Sequence, residues 1–412
     1  MNFGGSSRFT RSATKAGLLA ALVLIGHAAA AAPFEEIIRK AVRANGFIPA
    51  EETHVPVIRE LANQGQIFFE SKLVSLNGNI SCRNCHLDEF GSADGIPNAI
   101  AVGGEGKGAA RVLSGGGILP RNTLPFWGRG GAGFSVFFWD GKVDFSGDRK
   151  VSQFGDAHPS DDPLITAVHL PAVEIREMLA EDKTVRFNKK ESVQSADNIY
   201  RALMAQLKEK ERGAVNAVGR SLSISPEDVS FLHIAIAIAS FIRQEFRLRE
   251  TRFHRFVFKE DELTDEELRG AQLFYGKAKC SNCHSGPYLT DFNFHAVPLP
   301  QIGFGKNGFG IDYGRFNVSH DPADLYKFRT PPLLNVENTA PYGHSGSVAT
   351  MREAIVFHFD PLRGIDPARM SALDRHEYFK RLAVSAESKL LTGYLDDKEV
   401  DSIVAFMETL TF

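Results

Sequence analysis

The four cysteines of this chain fall in two pentads, Cys82-Arg83-Asn84-Cys85-His86 and Cys280-Ser281-Asn282-Cys283-His284, with none left over. No other feature constrains the fold as tightly. Cys-x-x-Cys-His is the spacing at which two thiols bond covalently to a haem while the next imidazole comes to lie beneath the iron. A chain carrying two such pentads has to build two porphyrin-sized pockets and fold around them. Other uses of four cysteines fit less well. Two disulfides leave the histidine after each second cysteine unexplained. A four-thiolate zinc site would join pairs about two hundred residues apart and also ignores the histidines. A thioredoxin-like redox motif would be single and set in a βαβ pattern, which is not seen.

The N-terminus agrees with covalent haem. Arg8, Arg11 and Lys15 precede an apolar run from Ala16 to Ala32 that ends in small residues before Pro33. This predicts a signal peptide over residues 1–32, cleaved near Ala30 to Ala32, and a periplasmic protein. An uncleaved anchor is the alternative reading of the same run. No later stretch is long enough to span a bilayer. A formal net charge of −3 gives no electrostatic footprint for nucleic acid.

A weak internal repeat precedes the pentads. Leu61-Ala62-Asn63-Gln64-Gly65-Gln66-Ile67-Phe68-Phe69 runs into the first, and Leu268-Arg269-Gly270-Ala271-Gln272-Leu273-Phe274-Tyr275 into the second. Both have apolar residues at helical spacing, and Thr264 with Glu267 forms a capping box. Between them, Ser225-Pro226-Glu227-Asp228 reads as the start of a long buried helix through Phe231–Phe246. Asp396 with Glu399 opens a last helix with an apolar stripe at Val400, Ile403, Val404, Met407 and Leu410. Residues 101–117 and 298–314 read as long loops. The expected class is mainly α with long loops, one haem domain at 33–247 and a second at 248–412.

Further segments occur in a fixed order: Arg121-Asn122-Thr123, Phe138-Trp139-Asp140-Gly141, Arg176-Glu177-Met178, Phe328-Arg329-Thr330-Pro331, Leu334-Asn335-Val336, and Thr339-Ala340-Pro341-Tyr342-Gly343-His344-Ser345-Gly346. In this order, with the pentads, they closely resemble the bacterial di-haem cytochrome c peroxidase superfamily, including its methylamine-utilisation branch, which matures a tryptophylquinone cofactor. The resemblance implies two cytochrome c-like domains, each with a covalently bound haem c. It implies that peroxide reacts at the haem on Cys82, Cys85 and His86, and that the haem on Cys280, Cys283 and His284 relays electrons. Trp139 matches the family tryptophan between the haems, although in a Phe-rich stretch it also reads as a core aromatic. Glu177 matches the distal-pocket glutamate, which moves a proton during O–O cleavage. Asn122, Thr339 and Pro341 match the oxygen donors of an inter-domain calcium ion. Gln153 is the candidate for the family's distal glutamine, and His344 is expected to have a structural or haem-contact role.

Two departures from the family pattern stand out. Where the family places a methionine or tyrosine on the second iron, an ungapped count from Thr339 reaches His358. Bis-histidine ligation by His284 and His358 is therefore expected, with Met351, two turns earlier, as the rival. Second, no histidine follows the first pentad from Leu87 to Asn122, so the first iron is expected to be open at rest, with His158 or His169 as possible fold-back ligands. The leading expectation is a periplasmic peroxidase that reduces hydrogen peroxide through high-valent iron states. Its electrons would come from a small cytochrome c or cupredoxin, and as in many relatives it could dimerise. The alternatives are an oxidase that modifies a partner protein's side chain and a non-catalytic di-haem electron carrier.

Overall fold

A computed structural model describes residues 34–180, 193–259, 261–363, 365–387 and 394–412. The expected signal peptide lies outside them. The fold is mainly helical, and its strands are only two residues long. The helices that frame the site are α1 (Phe34–Ala44), α2 (Arg59–Glu70), α3 (Phe231–Glu245), α4 (Arg252–Phe258), α5 (Asp265–Tyr275), α6 (Met351–Phe357) and α7 (Asp397–Glu408). No helix among the described residues is long and apolar enough to cross a membrane.

The repeated segments form α2 and α5, and each crosses one partner helix, α3 and α7 respectively. Both crossings depend on a glycine. A Cβ on Gly65 would lie 1.9 Å from the carbonyl oxygen of Ala237, and one on Gly270 would lie 1.9 Å from that of Ser402. With no side chain there, backbone meets backbone, and Leu61, Phe68 and Phe69 on α2 and Leu268, Leu273 and Phe274 on α5 are buried. Helix α5 starts at the expected cap, where Thr264 Oγ1 accepts from Glu267 N at 3.3 Å and Thr264 N donates to Glu267 Oε2 at 2.7 Å. Helix α7 starts the same way at Asp396 and Glu399.

The start of α3 differs from expectation. Pro226–Asp228 forms a separate turn, Val229 is extended at φ −62° and ψ 117°, and Ser230 caps α3. The extended Val229 breaks the run of helical residues, so the capping signal at Ser225 serves the turn alone.

The two halves interlock. Helix α1 packs on α4 and α5, and Arg39 Nε donates to Phe256 O at 2.8 Å. By packing, the first helix therefore belongs with the segment after residue 248. In return, the loop after the second pentad reaches the first half. Strands β1 (Val136–Phe137), β2 (Val143–Asp144) and β3 (Val151–Ser152) form an antiparallel sheet around Trp139. Strand β4 (Phe294–His295) pairs with β7 (Phe328–Arg329), and β5 (Phe304–Gly305) with β6 (Gly308–Phe309) as a hairpin. Behind that hairpin, the partly buried Arg121 bridges the buried Asp140 at 2.6 Å and Asp312 at 2.8 Å.

Candidate functional site: two cavities flanking Trp139

Each pentad forms one tight turn, with Cys85 N bonded to Cys82 O at 3.1 Å and Cys283 N bonded to Cys280 O at 3.2 Å. All four cysteines are free thiols, and each pair lines its own cavity. Burial pushes the thiols of Cys82, Cys85 and Cys280 up to about 12.

The proximal sides of the two cavities are built alike. His86 Nδ1 lies 2.9 Å from Ser92 O, and His284 Nδ1 lies 3.0 Å from Leu289 O. A carbonyl only accepts, so Nδ1 carries the proton and Nε2 keeps a free lone pair, the tautomer needed to bind a metal. Burial holds both imidazoles neutral, His86 at about 3 and His284 at about 4, the latter helped by the neighbouring His358. Phe69 packs beside His86 at 6.4 Å and 47°, and Phe274 beside His284 at 6.5 Å and 48°. Thiols in pairs, a neutral imidazole beside each pair and an apolar cavity above fit a covalently held haem at both sites.

The distal sides differ. The first cavity, about 440 Å³, has His86 as its one histidine among the described lining residues. Glu177, Glu174, Lys142 and Lys306 line the same cavity. Burial pushes the Glu177 carboxyl above the usual range. Glu174 is held below it, chiefly by Lys142, whose Nζ lies 3.3 Å away. The expected fold-back ligands lie elsewhere. His169 is buried against Tyr200 and Phe231, with Nδ1 bonded to Ile165 O, and His158 faces Asp161. Gln153 is exposed in the turn after β3 and outside the lining residues.

The second cavity, about 260 Å³, takes His284 from one side and both His358 and Met351 from the other. Thr350 caps α6, and Met351 and His358 lie two turns apart on one face. His358 Nδ1 bonds to Ala354 O at 2.7 Å, which again leaves Nε2 free. His344, buried and neutral, stacks on Phe328 at 3.8 Å and bonds to Gln301 Oε1 at 2.7 Å.

Trp139 lines both cavities, and its Nε1 donates to Asn122 O at 3.0 Å. Asn122, Thr339 and Pro341 all line the second cavity, but as a hydrogen bond rather than a ring of oxygens: Asn122 Nδ2 donates to Pro341 O at 2.7 Å. A half-turn of that carboxamide would set its oxygen beside the same carbonyl, the donor type a hard cation takes.

Sequence reasoning missed Glu174, Lys142 and Lys306. Glu174 lies three residues before Glu177 and carries no distinguishing neighbour, and Lys306 comes from the β5–β6 hairpin of the other half. It also gave no role to Arg129 and Arg329, two buried guanidinia beside Trp139, of which Arg329 lay within a quoted segment.

Comparison with known proteins gives a consistent picture. The family model of the di-haem cytochrome c peroxidase matches residues 59–262. The methylamine utilization protein MauG of Methylorubrum extorquens is 27% identical over 86% of this chain and 79% of its own. The cytochrome c551 peroxidase of Pseudomonas aeruginosa is 25% identical over 75% of each chain. Among solved structures, a MauG-like protein associated with microbial copper homeostasis aligns at a TM-score of 0.62 with 24% identity, covering 89% of this chain and 92% of that one. The diheme peroxidase BthA of Burkholderia thailandensis aligns at 0.61 with 19% identity, covering 89% of each chain.

Proposed function

Because the chain belongs to the di-haem cytochrome c peroxidase family, we propose that it is a periplasmic peroxidase that reduces hydrogen peroxide to water with electrons from a small cytochrome c or cupredoxin. The observation that carries this is the asymmetry of the distal sides: carboxylates face His86, and a second imidazole faces His284. His86 with Cys82 and Cys85 would hold one haem, and His284 with Cys280, Cys283 and His358 the other. Bound there, haem supplies the iron that exchanges electrons with peroxide and with the donor. The chain's own residues handle protons and position.

Peroxide reduction consumes two protons as well as two electrons. Glu177, its pKa raised by burial, passes readily between the neutral and ionised forms and so can take the proton from one peroxide oxygen and return it to the other. Glu174, kept ionised by Lys142, is a fixed anion that repels a second negative charge on Glu177. Environments that push two carboxyls apart divide the labour between a proton carrier and a constant charge. Trp139, on the wall of both cavities with its indole N–H anchored on Asn122 O, is positioned to bridge the two sites.

A second reading, an oxidase acting on a partner protein's side chain, is favoured by the match to MauG over most of both chains. The readings separate on mixing the di-haem protein with hydrogen peroxide and a reduced small cytochrome c. Rapid catalytic oxidation of the cytochrome, slowed at least tenfold by Trp139→Phe, supports the peroxidase. Peroxide consumption that stays slow whatever the donor supports the oxidase. No reaction with peroxide and two six-coordinate low-spin haems leave a carrier and refute both.

A further inference from the structure

Arg129 and Arg329 lie side by side against one face of the core. The Cζ of Arg129 is 5.7 Å and that of Arg329 6.0 Å from the centroid of the Phe134 ring. They are 4% and 1% exposed. Each is held by its stem: Arg129 Nε donates to Pro125 O, and Arg329 donates from Nε to Phe138 O and from Nη1 to Thr330 O, both at 3.1 Å. In each case Nη2 is buried and without a hydrogen-bond partner. No carboxylate of the described residues forms an ion pair with either guanidinium, although the partly buried Arg121 has two. Burial pushes both below the usual arginine range, Arg329 to about 10, and the nearby Arg329 charge lowers Arg129 further.

Two unpaired cations beside the same ring inside a protein are costly, and removing an anionic partner from such a site is worth several kcal/mol. Both guanidinia line the second cavity, and Arg129 also lines the first. We propose that Arg129 and Arg329 form a carboxylate clamp that binds a propionate of the haem in the second cavity, with Arg129 shared by the first. This rests on the di-haem reading and adds to it a positioning role. The planar forks suit bidentate carboxylate recognition. A propionate held here shares its cavity wall with Trp139, which with Arg129 lines both cavities, so its charge is felt at both.

The clamp is tested on the holoprotein by spectroelectrochemical titration of each haem across about pH 5 to about pH 8, a range above the usual carboxyl pKa. Haem content is first checked at two per chain, so that a protein without covalent haem refutes the di-haem reading separately. In the wild type the second haem's potential is expected to stay flat, because paired guanidinia keep the propionate ionised throughout. In Arg329→Leu, loss of a positive charge favours the ferric state. At fixed poise and the alkaline end the reduced-to-oxidised ratio falls about tenfold, roughly 59 mV for a one-electron couple. Loss of the clamp also lets the propionate protonate, so the potential now rises as pH falls. Arg329→Lys, which keeps the charge, restores the wild-type potential at the alkaline end, and Arg129→Leu shifts both haems. Unchanged potentials and slopes in haem-replete Arg329→Leu and Arg129→Leu overturn the proposal. So does a wild-type potential that moves when chloride replaces sulfate at constant ionic strength, since the guanidinia would then hold a free anion.

Discussion

Replacing Gly65 or Gly270 with alanine tests whether the two haem-side helices are seated by backbone contact. The added methyl carbon would stand 1.9 Å from the carbonyl oxygen of Ala237 or of Ser402, and Gly270 would also meet Phe406 Cβ at 2.7 Å. Relaxed carbon contacts lie near 3.5 Å, so the helices must separate by about 1.5 Å. A gap of even ~0.5–1 Å forfeits a quarter to a half of each dispersion contact along the interface. Overpacking by a methyl usually costs ~1–3 kcal/mol, and the obstacle here is rigid backbone, so about 3 kcal/mol is expected. For a unit of ordinary domain size that lowers Tm by about 6–12 °C. Gly213 is the control: a Cβ there meets nothing within 4 Å, and it lies in the helix Arg212–Leu222. Gly213→Ala should leave stability unchanged or raise it by up to ~1 kcal/mol. The assay is thermal and urea unfolding of the three holoproteins, followed at the haem absorbance and by far-ultraviolet dichroism. If Gly65→Ala and Gly270→Ala unfold with Gly213→Ala, close backbone approach is not what seats α2 and α5.

Three further outcomes follow from the site. Glu177→Gln should slow peroxide consumption about a hundredfold in stopped flow. Its pKa is raised, so at low pH it is protonated and cannot accept the peroxide proton. The wild-type rate should therefore climb with pH where the variant's does not, and an equal slope in both removes Glu177 from proton transfer. His358→Met should raise the second haem's potential, because a thioether favours the ferrous state. A shift appearing instead in Met351→Leu would make Met351 the ligand. Arg121→Leu should cost ~3–5 kcal/mol by removing the ionic partner of the buried Asp312 and leaving the buried Asp140 with Lys306 alone. Both carboxyls are held low, with burial opposing and Arg121 the chief stabilising charge. Their stability is thus present above the unfolded carboxyl pKa of about 4 and lost as pH falls through the lower folded value. Urea midpoints against pH should show that acid loss in the wild type and a weaker one in the variant.

What the sequence revealed and what it hid differ by the range of the interaction. The pentads, the apolar faces of α2 and α5, and the caps at Thr264 and Asp396 are local, and local spacing was enough to read them. His358 was reached by counting from a nearby segment, and the structure puts it on the cavity wall with Met351, where sequence had already placed both on one helical face. Glu174 and Lys306 could not be read that way. Glu174 differs from Glu177 only through Lys142, and Lys306 arrives from a hairpin more than a hundred residues away. Gln153 failed for the converse reason: its place in the chain suited a distal role, but it lies exposed in the turn after β3. Asn122 and Pro341, 219 positions apart, meet through a carboxamide-to-carbonyl bond, a pairing that no local spacing encodes.

The internal repeat also explains where chemistry can differ. Helix, glycine crossing, pentad turn, Nδ1–carbonyl bond and the phenylalanine beside the histidine recur with ring geometries matching to 0.1 Å and 1° between the two copies, from 6.4 Å and 47° to 6.5 Å and 48°. Two sites with the same proximal side offer the same iron, so any division of labour has to come from the other face. There the chain stops repeating. Glu174 and Glu177 follow the turn at Pro171, and no carboxylate is among the described residues lining the second cavity; His358 ends α6, and no second histidine is among those lining the first. Moving a single residue therefore ought to convert one site toward the other. A histidine introduced in place of Glu177, if it reached the iron, should close the first site and abolish the reaction with peroxide while leaving both pentads, both haems and the helical frame intact.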